Sequence, residues 1–271
     1  MATENENKQV EVLRRVALEL SRVTFDETPP EVAHRVHPIV REVTGNDDPY
    51  SKVKDKYNRI AMKMYPGLKR RVAESEDRLL TAVRLAIAGN IIDFGPGLEF
   101  DLEETIEEVL AKDFAIDHFN QLKNALDGAQ KIFYLGDNTG EIVFDRILLE
   151  ELKGKEITFI VKGGPILNDA TIEDAKFAGI DKIAEIGKVS NGMPGTGPER
   201  NSKEFVDQLK RADVVISKGQ GNYEALSEVD AKIFFMLRAK CPVIARDLGV
   251  EIGDIVIKGA NIAHRAATLR C

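Results

Sequence analysis

The sequence predicts an α/β fold in which a mostly parallel, three-layer αβα sheet domain follows an all-helical domain. Three observations carry that reading. Only five of the 21 glycines precede Gly128. The residues ahead of that point repeat apolar positions at helical spacing, whereas from Lys131 onward short apolar runs alternate with amphipathic ones. Three of the short runs empty into polar, glycine-rich turns, the pattern of a strand's carboxyl end leading into a helix.

The elements follow in order. Val10, Leu13, Val16, Ala17 and Leu20 keep helical spacing, as do Val32, Val36, Ile39 and Val40. Ile60, Met62, Met64, Leu68 and Val72 and the stretch 79–92 continue in kind. Turn signals fall at Thr28-Pro29-Pro30, Gly45-Asn46-Asp47-Asp48-Pro49 and Pro66-Gly67, and Gly95-Pro96-Gly97 breaks the chain. Helical runs over 102–110 and 114–126 lead to the first strand. Strands are expected at 131–136, 156–162, 182–186, 212–217, 231–237 and 253–257, which gives a parallel, Rossmann-like sheet covered on both faces. The stretch 187–200, rich in glycine and proline, is expected to be a long irregular loop, a lid or a substrate loop. The expected division is a helical domain over 1–127 and an α/β domain over 128–271.

Composition narrows the function. A formal net charge of -7 argues against non-specific nucleic-acid binding, yet leaves room for a small phosphorylated metabolite as partner. No apolar run approaches the roughly 20 residues of a membrane span, and the polar N-terminus lacks a signal peptide's apolar region. Cys241 and Cys271 are too few for a disulfide framework. A cytoplasmic protein is expected; the oligomeric state is not legible.

The chemistry concentrates at the turns. Ile132-Phe133-Tyr134-Leu135-Gly136-Asp137-Asn138-Thr139-Gly140-Glu141 runs from a buried strand into a carboxylate, an amide and a helix start. Hard oxygen ligands there suit a divalent cation, and the helix N-terminus suits a phosphate. Asp137 and Asn138 could otherwise serve as a turn and cap. Asp169, in Gly163-Gly164-Pro165-Ile166-Leu167-Asn168-Asp169-Ala170-Thr171, would bring a second carboxylate from a neighbouring strand end or else cap its own helix. Asp137, Asn138 and Asp169 together make a sparse three-ligand site; Asp174 is expected on the helix surface. Lys218, before Gly219-Gln220-Gly221, can present a point charge and backbone N–H groups to a phosphate, and Lys162 precedes Gly163-Gly164 similarly. Asn222 and Glu224 either contact substrate or cap a helix. Asn90 and Asp93, at the end of an apolar helix, have the pattern of C-cap chemistry. The four histidines lack zinc-ligand spacing, and neither a Gly-x-Gly-x-x-Gly loop nor a Gly-Lys-Ser/Thr P-loop is present.

At these residues the sequence resembles the damage-control phosphatase family, formerly a domain of unknown function, in its prokaryotic type. The resemblance rests on Gly136 to Glu141, Lys162 to Thr171, Lys218-Gly219-Gln220-Gly221-Asn222-Tyr223-Glu224 and Leu237-Arg238-Ala239-Lys240-Cys241-Pro242-Val243, with Gly89-Asn90, Asp93 and Asp48-Pro49-Tyr50 in addition. It implies a metal-dependent phosphatase acting on small phosphate esters such as sugar phosphates or damaged metabolites. It further implies Asp137, Asn138 and Asp169 as ligands of Mn²⁺, Mg²⁺, Co²⁺ or Ni²⁺ and Lys218 as the phosphate-binding lysine. It also implies that Asn90 and Asp93 line the substrate site, with the helical domain roofing the metal- and phosphate-binding α/β domain; Gly219 and Asn222 are further expected substrate contacts. Prokaryotic relatives often begin with a longer segment bearing a Cys-x-x-Cys pair, which this chain lacks.

The expected activity is therefore phosphomonoester hydrolysis at one divalent cation, with Asp137, Asp169 and Lys218 as the catalytic set. Either water attacks, or Asp137 or Asp169 attacks to give an aspartyl phosphate. The competing readings are a non-catalytic module that senses a phosphorylated ligand and, less favoured for want of a Gly-x-Gly loop, a methyltransferase.

Overall fold

A computed structural model describes residues 2–24, 27, 29–90, 102–189 and 203–262 of the chain. The N-terminal part is helical: α1 (Glu6–Leu20), α2 (Pro29–Thr44), α3 (Ser51–Glu74), α4 (Arg78–Gly89) and α5 (Leu102–Ala111). Side chains start two of these. Asn5 accepts from the Lys8 N–H, and Asp77 from the Leu80 N–H at 2.9 Å, each satisfying an orphan first-turn donor. Helix α3 continues through Pro66-Gly67, which the sequence marks as a turn. Ala61, Leu68 and Val72 are buried on either side of the proline, and their packing offsets the roughly 3 kcal/mol that an interior proline costs.

The sheet follows, with β1 (Ile116–Asp117), α6 (Phe119–Gly128), β2 (Lys131–Leu135), α7 (Glu141–Glu151), β3 (Glu156–Lys162), α8 (Ile172–Phe177) and β4 (Glu185–Val189). Next come α9 (Lys203–Arg211), β5 (Val214–Lys218), α10 (Gln220–Leu226), β6 (Ile233–Arg238), α11 (Pro242–Leu248) and β7 (Ile255–Ala260). The seven strands run in the order β1-β7-β6-β5-β2-β3-β4. All neighbours are parallel except β6 and β7, which pair antiparallel. A mostly parallel α/β sheet with helical layers is thus the fold, as expected.

Three details differ from the expectation, the unbroken α3 being the first. Strand β1 lies inside a run taken as helix, because a two-residue bridge to Val256 and Ile257 is too short to leave a period-2 pattern. Strand β4 sits three residues later than expected and absorbs Gly187, Lys188 and Val189, so the irregular stretch does not begin at Gly187; residues 190–200 lie outside the described residues. Gly187 fits there because a Cβ would come within 2.5 Å of Ile160 Cδ1 on β3.

Strand alternation divides the core between two faces. Tyr134, Phe159, Ile216, Phe234 and Met236 pack with α3, α4 and α7, whereas Leu135, Ile160, Val215, Phe235 and Leu237 face α9, α10 and α11. Each fully buried side chain of this size contributes about 1.5–3 kcal/mol, so Phe234→Ala would cost about 3–5 kcal/mol. Helix α4 is apolar almost all round, and its buried residues Ala82, Val83 and Leu85 to Gly89 wedge it against α7. That wedge brings the end of α4 to the carboxyl edge of β2.

Candidate metal and phosphate site

Strands β5, β2 and β3 are neighbours, and each empties into one of the polar turns. The chain leaves β2 toward β3 on one side and returns as β5 on the other, so β2 and β5 flank a topological switch point where ligand crevices open. The β2–α7 and β3–α8 turns are stapled along their backbones. Thr139 N donates to Asn168 O and Ala170 N to Asp137 O, both at 2.9 Å, and Asn138 pairs with Asp169 as an isolated antiparallel bridge. The loop returns tightly enough to do this because Leu167 adopts φ 45°, a left-handed conformation that costs a leucine roughly 1–2 kcal/mol. Asp137, Asn138 and Asp169 are thereby brought together, as the sequence suggests.

Their surroundings fix orientation. The Asn138 amide donates through Nδ2 to Asp137 Oδ2 at 3.1 Å and to Glu141 Oε2 at 3.3 Å, which fixes the orientation of the amide. Asn90, 1% exposed at the end of α4, donates to the same two carboxylates at 3.2 and 3.1 Å, and its Oδ1 has no hydrogen-bond partner among the described residues. Asn90 therefore reaches the site; Asp93 lies outside the described residues. Gly219 faces Asp137, and Asn222 donates to the carbonyls of Gly136 and Lys218 while accepting from Lys162 Nζ at 3.2 Å.

Lys218 points away from the open edge. Its Nζ donates to Ala86 O at 2.7 Å, Glu141 Oε1 at 2.7 Å and Asp145 Oδ1 at 2.8 Å, and the side chain is fully buried. Those three bonds use all three ammonium hydrogens, so the phosphate contact expected of Lys218 has no donor left. Lys162 instead lies at the edge, 3.8 Å from Asp169 Oδ2.

The electrostatics favour a cation. Burial, then the charges of Glu141 and Asp169, push the Asp137 carboxyl well above the ordinary range, although Lys162 and Lys240 pull it down. Burial pushes Asp169 up to about 6 against the attraction of Lys162 and Lys54. Asp145 is likewise pushed up to about 6 by burial, with Lys218 opposing. Burial would lower Lys218, but Asp145 and Glu141 hold it above the usual lysine range. Among the described residues no group of three or more His, Cys, Asp or Glu side chains is gathered as a metal site. The set gathered here is two carboxylates and an amide, a donor set that fits Mg²⁺ or Mn²⁺.

A family model described as the damage-control phosphatase ARMT1-like domain matches residues 1–256. The chain belongs to this family. It is 42% identical over 217 residues to damage-control phosphatase PH1575 of Pyrococcus horikoshii, across 78% of this chain and 75% of that protein. It is 38% identical over 235 residues to a damage-control phosphatase of Archaeoglobus fulgidus, across 84% and 81%. The crystal structure of PH1575, a DUF89 family protein, superposes with a TM-score of 0.87 at 36% identity over 95% of this chain and 92% of that one. These homologues support a phosphatase function.

Within this damage-control phosphatase fold, sequence reasoning leaves Glu141, Asp145 and Asn58 unassigned and misplaces Asp174. Glu141 and Asp145 fall one and two turns after Asp137 on a helix whose other residues are mostly buried apolar ones, and that context is a signal that both acids point inward. Asn58 gives no signal, since it lies among lysines on a long helix. Asp174, expected on the surface, is 9% exposed; it accepts from Thr171 N and Thr171 Oγ1 in a capping box and from Asn58 and Lys54. Beside it a crevice of about 510 Å³ opens, bordered by Lys54, Asn58, Lys162, Thr171 and Phe177. No helix among the described residues is long and apolar enough to cross a membrane.

Proposed function

We propose that this protein hydrolyses small phosphate monoesters, sugar phosphates or damaged phosphometabolites, with one divalent cation at Asp137, Asn138 and Asp169. The observation that carries the reading is the stapling of the β2–α7 and β3–α8 turns, which gathers three oxygen-donor side chains beside a lysine at a switch-point crevice. When bound, the cation supplies Lewis acidity toward a phosphoryl oxygen and toward the attacking water.

The chain's own residues do the rest. Lys162 brings its ammonium to the phosphoryl group, steered by its bond to Asn222, and balances charge as the ester bond breaks. Lys240, whose charge also acts on Asp137, adds a second positive charge to the same edge. Glu141 accepts from the Asn138 and Asn90 amides and so fixes their orientation, and Lys218 holds Glu141. Asn90 lines the side that meets the organic part of the substrate.

The test is phosphate release from a panel of sugar phosphates and a chromogenic ester, with Mg²⁺, Mn²⁺, Co²⁺, Ni²⁺ or EDTA. Turnover that EDTA abolishes and a metal restores supports the proposal. Tight binding of these esters without turnover under every condition would favour a sensing module.

A further inference from the structure

We propose that Asn58 is a positioning residue that fixes the spacing of the metal-bearing turns through Asp174, an inference that rests on the metal reading above. Asn58 lies in α3, 3% exposed, in a helix otherwise rich in solvated charge. Its Oδ1 accepts from the Gly140 N–H at 2.8 Å, and its Nδ2 donates to Asp174 Oδ1 at 2.8 Å. The other oxygen of Asp174 accepts from Thr171 N at 2.9 Å, from Thr171 Oγ1 at 2.7 Å and from Lys54 at 3.0 Å.

Gly140 follows Asn138 by two residues, and Thr171 follows Asp169 by two. One amide and one carboxylate therefore connect both ligand turns to the same helix of the N-terminal part. The backbone staples hold the turns to each other, Asn90 reaches the first of them from α4, and Asn58 adds an anchor from α3 that reaches both. Asparagine suits this position because an amide offers an acceptor to a backbone N–H and a donor to a carboxylate from one short, planar group. Gly140 sits at φ 76°, so its N–H belongs to no regular helix ladder and meets Asn58 instead. Neighbours that orient metal ligands in this way typically carry a roughly 10–100-fold effect on metal affinity.

The experiment titrates Mn²⁺ into EDTA-stripped, folded protein by calorimetry and records the melting temperature in EDTA. Asn58→Ala should weaken Mn²⁺ binding by about 10–100-fold. The double variant Asn58→Asp with Asp174→Asn exchanges the two groups, keeps an acceptor for the Gly140 N–H and a donor–acceptor pair between the two positions, and should recover at least part of the affinity. A purely structural role would lower the melting temperature and leave Mn²⁺ affinity unchanged, which overturns the proposal. Where Asn58→Ala does not fold, the comparison is between Asp174→Asn alone and the double variant: tighter Mn²⁺ binding by the double variant is expected, and equal binding overturns the proposal. Absence of Mn²⁺ binding by the unsubstituted protein overturns the metal reading and the clamp together, whereas unchanged affinity in Asn58→Ala overturns the clamp alone.

Discussion

Gly219 and Asp137 stand in near contact across the switch point between β5 and β2: a Cβ at residue 219 would lie 1.8 Å from Asp137 Oδ2. Residue 219 also adopts φ 79° and ψ 163°, a region essentially reserved for glycine. The glycine after β5 thus sets where a proposed metal ligand after β2 can sit. Gly219→Ala should cost about 1–3 kcal/mol in backbone strain and displace the Asp137 carboxylate, so metal-dependent turnover should fall by more than the change in melting temperature explains. Measuring both on one variant checks this; a destabilised protein with normal kcat and metal affinity would contradict it.

Asp169 illustrates a conflict between site and stability. Its carboxyl is pushed up from 3.8 to about 6, chiefly by burial, so at neutral pH the ionised group opposes folding by something on the order of 2–3 kcal/mol when no cation is present. Asp169→Asn should raise the melting temperature of the EDTA-treated protein while removing metal-dependent activity. Loss of activity accompanied by a lower melting temperature would mark Asp169 as a structural residue.

The same shifts fix a pH dependence. Asp145 and Asp169 hold protons up to about pH 6 in the fold but release them near 3.8 at their ordinary values. The native state then binds more protons than the unfolded chain, so the stability from these groups is present below about 4 and is lost as pH rises through about 6. In EDTA the melting temperature should fall between pH 5 and pH 7. Stabilisation by added Mn²⁺ should grow over the same interval, because the ion competes with the proton on Asp169. A melting temperature in EDTA that rises across this interval would contradict the assignment.

How much of this was legible in the sequence differs from residue to residue. The Asp137–Asn138 turn stood out because a buried strand ending in two oxygen donors before a helix has few structural alternatives. The shared edge of β2, β3 and β5 followed from strand–helix alternation alone. Lys218 misled because the glycines after it suggest an anion loop. Strand alternation pointed the other way, since residue 218 shares a face with Ile216, which packs against the helices. The burial of Asp174 and Asn58 was not legible, because the two lie more than a hundred residues apart and only the packing of α3 brings them together.

Lys218 yields a prediction of its own. It is the cation between Glu141 and Asp145, and all three side chains are fully buried. Lys218→Met should leave two carboxylates without their cation and destabilise the protein by about 3–5 kcal/mol. Lys218→Arg should not restore stability, because the larger guanidinium has no room in a fully packed site. Urea denaturation measures this. Unchanged stability with a raised KM would instead indicate a lysine that contacts phosphate.

Asp137, Asn138 and Asp169 are proposed to hold one divalent cation at the junction of the two stapled turns, and the rest of the chemistry depends on that ion. The most direct measurement is an anomalous difference map from crystals of the protein soaked in Mn²⁺. One strong peak is expected about 2.0–2.3 Å from carboxylate oxygens of Asp137 and Asp169 and from the Asn138 amide oxygen, a range set by ordinary Mg²⁺- and Mn²⁺-type coordination. A map with no peak there, or with its only peak elsewhere on the molecule, would contradict it.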